Sequence, residues 1–500
     1  MQTKKDYTKE FTQKAYAELE NYRAQRAEVD RRIAENRRLW SMGEGGDGKK
    51  ISTGYLFNTI ASKHAEAMDA IPSPVVYSRT SAASENALRL AEVLPSILYS
   101  ANFEECYSRL WWEKLVCGTG VLGVFWRSDS CEGKGDICLD VIPLERIYWD
   151  SSVTNIDESK FVFVIKPTRA ESLAAEFPGY EMSTGGENVE VVDCYYKKDD
   201  KLHFCKMAEG RLLYSSEKDG RISCWYDHGK FPFIIDGLYP DTVGLCGFGA
   251  VDVAKESQSA ISSLGEAVMH NARVASAPRY FVREDSGINE EEFCDLESDI
   301  VHVGSSTIDE SAIRRVEFEP IDSVYTDFLQ MKIDEIKEVT GNRDFTQGST
   351  TGGVTSGAAI SALQEAGTRL SRDRHGACYR ALEKMCYLIV ELVRQFYTKP
   401  REIPVYREGG VVHVLYHNAA LGALMPDMTG RSQFDIKMIK RTTSPFKREA
   451  ANDRVIEMWN AGFFEEQNRE SALLALELMD FDGIEELKAR MGRFAGENQQ

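Results

Sequence analysis

No stretch of this chain stays apolar over the roughly 20 residues that cross a bilayer, so no membrane-spanning helix is expected. The opening MQTKKDYTKEF lacks an apolar segment, which argues against a secretory leader. Cysteine pairs are missing too: the 11 cysteines are scattered singly from Cys106 to Cys386, and none stands as C-x-x-C. An odd set with that spacing points to reduced thiols in a cytoplasm rather than to a disulfide framework. Histidine is scarce, at 8. His413 and His417 share one face of a strand or its edge, but no cysteine or carboxylate stands at ligand spacing. They read as structural, and no metal is expected. Positive charge is in deficit, with 60 Lys and Arg against 79 Asp and Glu, a formal net of −19. Such a surface repels phosphate backbones at long range and argues against tight wrapping of nucleic acid. DNA that passes without sticking remains compatible with it.

What is present is an ordinary globular composition, 43% hydrophobic and 28% charged. A chain of 500 residues exceeds what one core organises, so roughly two to four packed units are expected. Phe11, Ala15, Leu19, Tyr22, Val29, Ile33 and Trp40 recur at helical spacing, an amphipathic helix that must pack on something else. GEGGDGKK (Gly43 to Lys50) breaks it as a linker. Helical patterns resume over Ser52 to Met68, Ala82 to Leu98 and Phe103 to Cys117. Short β-branched and aromatic runs follow at Val121–Arg127, Ile137–Ile142, Lys160–Ile165, Val189–Tyr196, Leu202–Lys206 and Arg221–Tyr226, interrupted by a helix over Arg169–Phe177. Helices and strands are segregated, so the fold class is α+β with antiparallel strands.

The later half has a distinctive order. A helix poor in bulky residues runs from Gly249 to about Ser276 and stops at Pro278. An insert, Pro278 to Glu319, carries candidate strands at Arg279–Val282, Ile300–Val303 and Arg315–Phe318. About forty residues rarely hold a core unaided, so the insert is expected to complete its sheet with a partner chain. Pro320 opens a second helix, Ile321 to Thr340, and Gly341 suits its C-terminal stop. A Gly/Ser/Thr loop follows, Asn342 to Gly357, long enough to be functional or mobile. Ser356 caps a helix from Gly357 to Tyr397. Strands return at Ile403–Val414 and Gln433–Ile439, and Ser444 with Pro445 begins a closing helical cluster.

Three motifs tempt and fail. Gly43 to Lys50 nearly matches the phosphate-cradling loop, but Lys50 stands where a hydroxyl must hold Mg²⁺, and Glu44 and Asp47 would repel phosphate. Gly118-Thr-Gly120-Val-Leu-Gly123 matches G-x-G-x-x-G, yet a helix precedes it and a strand follows, the reverse of a dinucleotide site. Asp199 with Asp200, and Glu290 to Glu292, read as solvated acid runs in loops. No catalytic set and no cofactor site is expected.

The order from Gly247 to Tyr397 resembles the portal proteins of tailed bacteriophages. The likeness covers roughly Ser52 to Arg493 and rests on WWEKLVCGTGVLGVFW (Trp111 to Trp126), DVIPLERIYWD (Asp140 to Asp150) and the stretch Pro232 to Pro278. GVTSGAAISALQEAGTRLSRD (Gly353 to Asp373) and Ser444 to Asp480 carry it further. Beside the N-terminal helix and linker (1–50) read from the residue pattern, the resemblance implies a first wing part with antiparallel strands (51–246) and a two-helix stem (247–277 and 320–341). A small α/β clip (278–319), a channel loop (342–357), a long wing helix with wing strands (358–443) and a helical crown with tail (444–500) complete it. The helix Phe11 to Trp40 has no counterpart in this likeness.

Such a family implies a structural ring of roughly twelve copies at one capsid vertex of the virion, assembled in host cytoplasm. It would be the conduit for double-stranded DNA in packaging and ejection. Its partners would be the large terminase, neck or adaptor proteins, and the major capsid and scaffolding proteins. A ring of about twelve copies would carry roughly −228 formal charges, and its symmetry cannot match the roughly 10–10.5 bp turn of DNA, so contacts cannot all lock at once. The expected channel residues are Lys332, Lys337, Arg343, Gln347, Thr350, Thr351 and Val354, with Gly352 and Gly353 as loop hinges. For Lys332 and Lys337, intrahelical pairing with Asp334, Glu335 and Glu338 is an equal alternative. Arg283, Glu284, Asp285, Glu290, Glu291 and Glu292 are expected on the clip surface that faces terminase or adaptor. Another acidic viral shell or scaffold protein, or a nucleotide-dependent enzyme, are the competing readings.

Overall fold

The computed structural model describes residues 2–41, 54–69, 71–81, 84–178, 187–219, 222–242, 244–276, 280–282, 287, 289–294, 302, 304, 313–315, 323–341, 369–407, 410–421, 433–440, 445–463 and 469–479. The chain opens with helix α1 (Gln2–Trp40), then α2 (Tyr55–Met68), strand β1 (Pro72–Ser78), α3 (Ser84–Ser100) and α4 (Phe103–Cys117). Strands β2 (Thr119–Arg127), β3 (Asp136–Ile142), β4 (Ile147–Trp149) and β5 (Phe161–Arg169) lead into α5 (Ala170–Glu176). There follow β6 (Asn188–Lys198), β7 (Lys201–Ala208), β8 (Arg211–Ser215) and β9 (Phe233–Gly237). The second half contains α6 (Ala250–Ser276), β10 (Tyr280–Val282), α7 (Glu290–Cys294), β11 (Ile313–Arg315), α8 (Ser323–Thr340) and α9 (Arg369–Phe396). Strands β12 (Arg401–Arg407), β13 (Gly410–Tyr416) and β14 (Phe434–Lys440), then helices α10 (Pro445–Asn460) and α11 (Arg469–Leu478), close the chain.

Strands pair antiparallel throughout the described residues, in a three-stranded sheet β3-β2-β9, a five-stranded sheet β4-β5-β6-β7-β8, and the pairs β1-β14, β10-β11 and β12-β13. Helices lie apart from the strands rather than alternating with them, the α+β arrangement expected. The main core forms where α4 (Leu110, Trp111, Leu115) meets β2 (Val121, Leu122, Val124) and the apolar stripe of α9 (Leu382, Met385, Ile389, Val393). A second core lies on the five-stranded sheet, where Ala15, Leu19 and Tyr22 of α1 cover Phe163, Cys194 and Met207. The apolar stripe read in α1 therefore has its partner within the same chain.

The glycine motif at 118–123 is a helix stop and turn. Gly118 ends α4 with φ +88, and a Cβ there would lie 2.6 Å from Gly247 O, so only glycine fits. Asp199 and Asp200 form the β6–β7 turn at φ 50 and 57. His413 is exposed on β13, His417 Nε2 lies 2.8 Å from Thr398 O, and no metal-ligand cluster is found among the described residues.

Several expectations need correction. Of the expected strand Arg221–Tyr226, the described residues 222–226 form no strand but one bridge, Leu202 to Tyr226, with Cys224 and Tyr226 turned inward as core. Ile403–Val414 is a hairpin, β12 and β13, rather than one run. The acidic run Glu290 to Glu292 begins the short helix α7 rather than a loop. Strands β1, β4, β8 and β9 were not anticipated. Residues 43–50, the loop 342–357, the start of the long helix (357–368) and the tail from 480 lie outside the described residues.

Candidate functional site

Helices α6 and α8 pack against each other. Ser257, near the start of α6, donates its hydroxyl to Glu335, near the end of α8, at 3.0 Å, so the two run antiparallel. Their base is fixed firmly. Asp252 accepts the Gly249 N–H at 2.8 Å, capping α6, and also accepts from Asn36 of α1 at 2.8 Å. Arg32 of α1 donates to Gly247 O at 2.6 Å. Val251, Ala254, Ile261, Ile336 and Thr340 are buried in this lower half.

Beyond Ile261 the burial stops. Val324, Tyr325, Phe328 and Met331 of α8 and Met269 of α6 stand 41–63% exposed. A Cβ added at Gly265 would meet nothing within 4 Å. The upper part of the helix pair thus carries an apolar surface that stands exposed among the described residues. Isolated large patches of this kind mark protein contact.

Of the expected channel residues, Lys332 and Lys337 lie on α8. Lys332 pairs with Glu335 at 2.6 Å and passes 5.7 Å from the Phe328 ring, the i,i+3 arrangement its spacing allows. Lys337 is half-buried one turn further on. Arg343, Gln347, Thr350, Thr351, Val354, Gly352 and Gly353 lie outside the described residues, as do Arg283, Glu284 and Asp285. At the far end, β10 and β11 pair over three residues. Glu292 of α7 accepts the His302 N–H at 2.7 Å and lies 2.9 Å from its ring nitrogen, contacts that hold its carboxyl below the usual range. Glu291 is exposed, and Glu290 begins the helix.

Where α8 ends and α9 begins, sequence reasoning missed a polar cluster. Lys63 donates to Ser371 at 3.0 Å, Ser371 donates to Glu66 at 2.9 Å, and Lys63 lies 3.2 Å from Glu66. Thr340, Arg374, His375 and Trp111 line the same small cavity. Arg374 donates to Leu238 O at 3.0 Å. Burial pushes the His375 pKa down to about 4. The start of α9 is therefore tied to α2 through Ser371 and to the residue after β9 through Arg374. Lys63 and Ser371 are 308 positions apart, so no local spacing announces the contact.

A family model described as phage P22-like portal protein matches residues 66–283 and 248–500. No curated protein matches the chain.

Proposed function

This chain belongs to the phage P22-like portal protein family, and from that premise we propose that it assembles into a ring at one capsid vertex. There it conducts double-stranded DNA during packaging and ejection. The helix pair α6 and α8 is the stem, shared as staves among neighbouring copies, and the β10–β11 segment is the clip. The single observation that carries this is the exposed apolar surface of Val324, Tyr325, Phe328 and Met331 on a pair whose buried residues, among those described, lie toward its base. Burying such side chains between copies stabilises each by about 1.5–3 kcal/mol. No helix among the described residues is long and apolar enough to cross a membrane.

The ring has roughly twelve copies. Its clip, with Arg283 to Asp285 and Glu290 to Glu292, receives the large terminase and later the neck or adaptor proteins. Capsid and scaffolding proteins surround the wing. Lys332, Lys337 and the loop residues Arg343, Gln347, Thr350, Thr351 and Val354 border the channel, and their phosphate contacts are weak and salt-sensitive. Gly352 and Gly353 are the loop hinges.

Negative-stain imaging of the purified chain is the direct test, and rings with a central hole are expected. Replacing Phe328 and Met331 with Glu together should leave soluble, helical protein that no longer closes into rings. Rings unaffected by that pair would reject the stave role of α8. For the conduit, Gly352→Pro with Gly353→Pro should impair DNA packaging while rings persist, and normal packaging would exclude the hinge.

A further inference from the structure

Two cysteines stand opposite one another beneath α1. In the antiparallel pair β6–β7, Cys194 lies directly across from Cys205. Both are free thiols, fully buried, and both belong to the second core, so they share one face of the sheet. The Ser216 N–H bonds Phe204 O at 2.9 Å, so Phe204 turns its peptide groups toward the β8 side. By alternation Cys205 turns its own toward Cys194, and the two form a hydrogen-bonded pair. Cα atoms in such a pair stand about 5.5 Å apart, inside the roughly 4.4–6.8 Å that a disulfide spans. Of the neighbouring groups, Cys205 is the one that acts most strongly on the Cys194 thiol. No other strand pair among the described residues sets cysteine against cysteine.

What shields the pair from solvent is α1. Ala15, Leu19 and Tyr22 lie over the same core, and the Tyr16 hydroxyl accepts the Gly210 N–H at 3.3 Å. Phe11 sets its ring 4.9 Å from that of Tyr196, two positions along from Cys194. With the helix seated, burial pushes the Cys194 thiol well above its ordinary pKa, which leaves little thiolate to react. A helix laid across a sheet carries its own backbone bonds, whereas the strands beneath share theirs. The helix therefore lifts at lower cost than the sheet opens.

We propose that Cys194 and Cys205 are a redox-active dithiol gated by α1, which a peroxide closes to a disulfide when the helix lifts. Hydrogen peroxide oxidises one thiol to a sulfenic acid and is itself reduced, releasing water. The second thiol then attacks that sulfur, the S–S bond forms, and the hydroxyl leaves with the second thiol's proton as another water. Two thiols and one peroxide thus give one disulfide and two waters. The new bond staples β6 to β7, and α1 settles back over it. The chemistry draws on neither α6 nor α8, so it stands apart from the ring reading.

The test treats the purified full-length chain with hydrogen peroxide, blocks remaining thiols by alkylation and maps the digested peptides by mass. Peptides bearing Cys194 and Cys205 should emerge joined, two hydrogens lighter than their sum, and separate with dithiothreitol. In the unaltered chain, sub-denaturing urea should speed the joining in step with hydrogen exchange across the first half of α1. Leu19→Ala with Tyr22→Ala should speed it by about tenfold or more. Cys194→Ala should abolish the joined peptide and leave Cys205 as a sulfenic acid that dimedone traps. Cysteines that stay reduced while α1 exchanges, or that oxidise separately to sulfinic acids, would overturn the dithiol. Joining at a rate indifferent to urea would overturn the gate. Because the urea series uses the unaltered chain, a variant that fails to fold does not decide the outcome.

Discussion

Lys114 is held where lysine is least at home. It is fully buried on α4, its Nζ 2.5 Å from Asp236 of β9 and 4.2 Å from the Trp111 ring. Burial works against its charge, yet Asp236, with Cys378 beside it, outweighs this and the pKa rises. The pair joins the helix to the sheet at the centre of the main core. Removing one partner leaves the other charged and unpaired, so Lys114→Met alone should destabilise the chain by about 3–5 kcal/mol. Lys114→Met with Asp236→Leu should recover most of that loss. Urea unfolding of the three proteins checks it, and equal losses in single and double variants would show that the cost is packing rather than charge.

At the scale of elements, α1 is a strap. It covers the second core through Leu19 and Tyr22, reaches Ile147 O through the buried Arg26, and meets the base of α6 through Arg32 and Asn36. The family match begins at residue 66, so this helix is an addition to the matched region. Leu19→Ala with Tyr22→Ala removes buried bulk worth roughly 2–5 kcal/mol per site. Hydrogen exchange should then rise across the first half of α1 while α4 and β2 stay protected; loss of protection in β2 would show that the strap is not separable. The helix itself was legible from its 3.6-residue pattern, and so were α4, α6 and α8 with their Gly and Pro stops. What covered the first half of α1 was not, because those partners, on the five-stranded sheet, are more than a hundred positions away. Strand β1 was hidden for a different reason: Pro72 and Pro74 forbid a central strand, but β1 pairs only with β14 and tolerates them at its open side. Strand β9 is a buried five-residue run that carries no alternation to read. The polar cluster of Lys63, Glu66 and Ser371 left no trace in any local pattern.

For the molecule as a whole, acid is the predicted weakness. Burial lowers the pKa of both His228 and His375 from 6.5 to about 4. Glu66 pulls His375 upward, while Lys440, Lys114 and Lys63 push it further down. Each ring is neutral in the fold and takes up a proton more readily when unfolded, so its stability is whole above about 6.5 and is lost as pH falls toward 4. The melting temperature should decline over that window, and His375→Gln should flatten part of the decline; an unchanged acid limb would place the sensitivity elsewhere. The strap also imposes an order on biosynthesis. Arg32 and its acceptor Gly247 are separated by 215 positions, which a ribosome adding about 5–20 residues per second covers in roughly 10–45 seconds. For much of that interval, until the strands carrying Phe163, Cys194 and Met207 are made, the newborn helix has its oily stripe and no surface to lay it on. Helix α1 is thus seated only after the strands it lies on are made, and the Arg32–Gly247 contact reports that the chain up to the foot of α6 has taken shape.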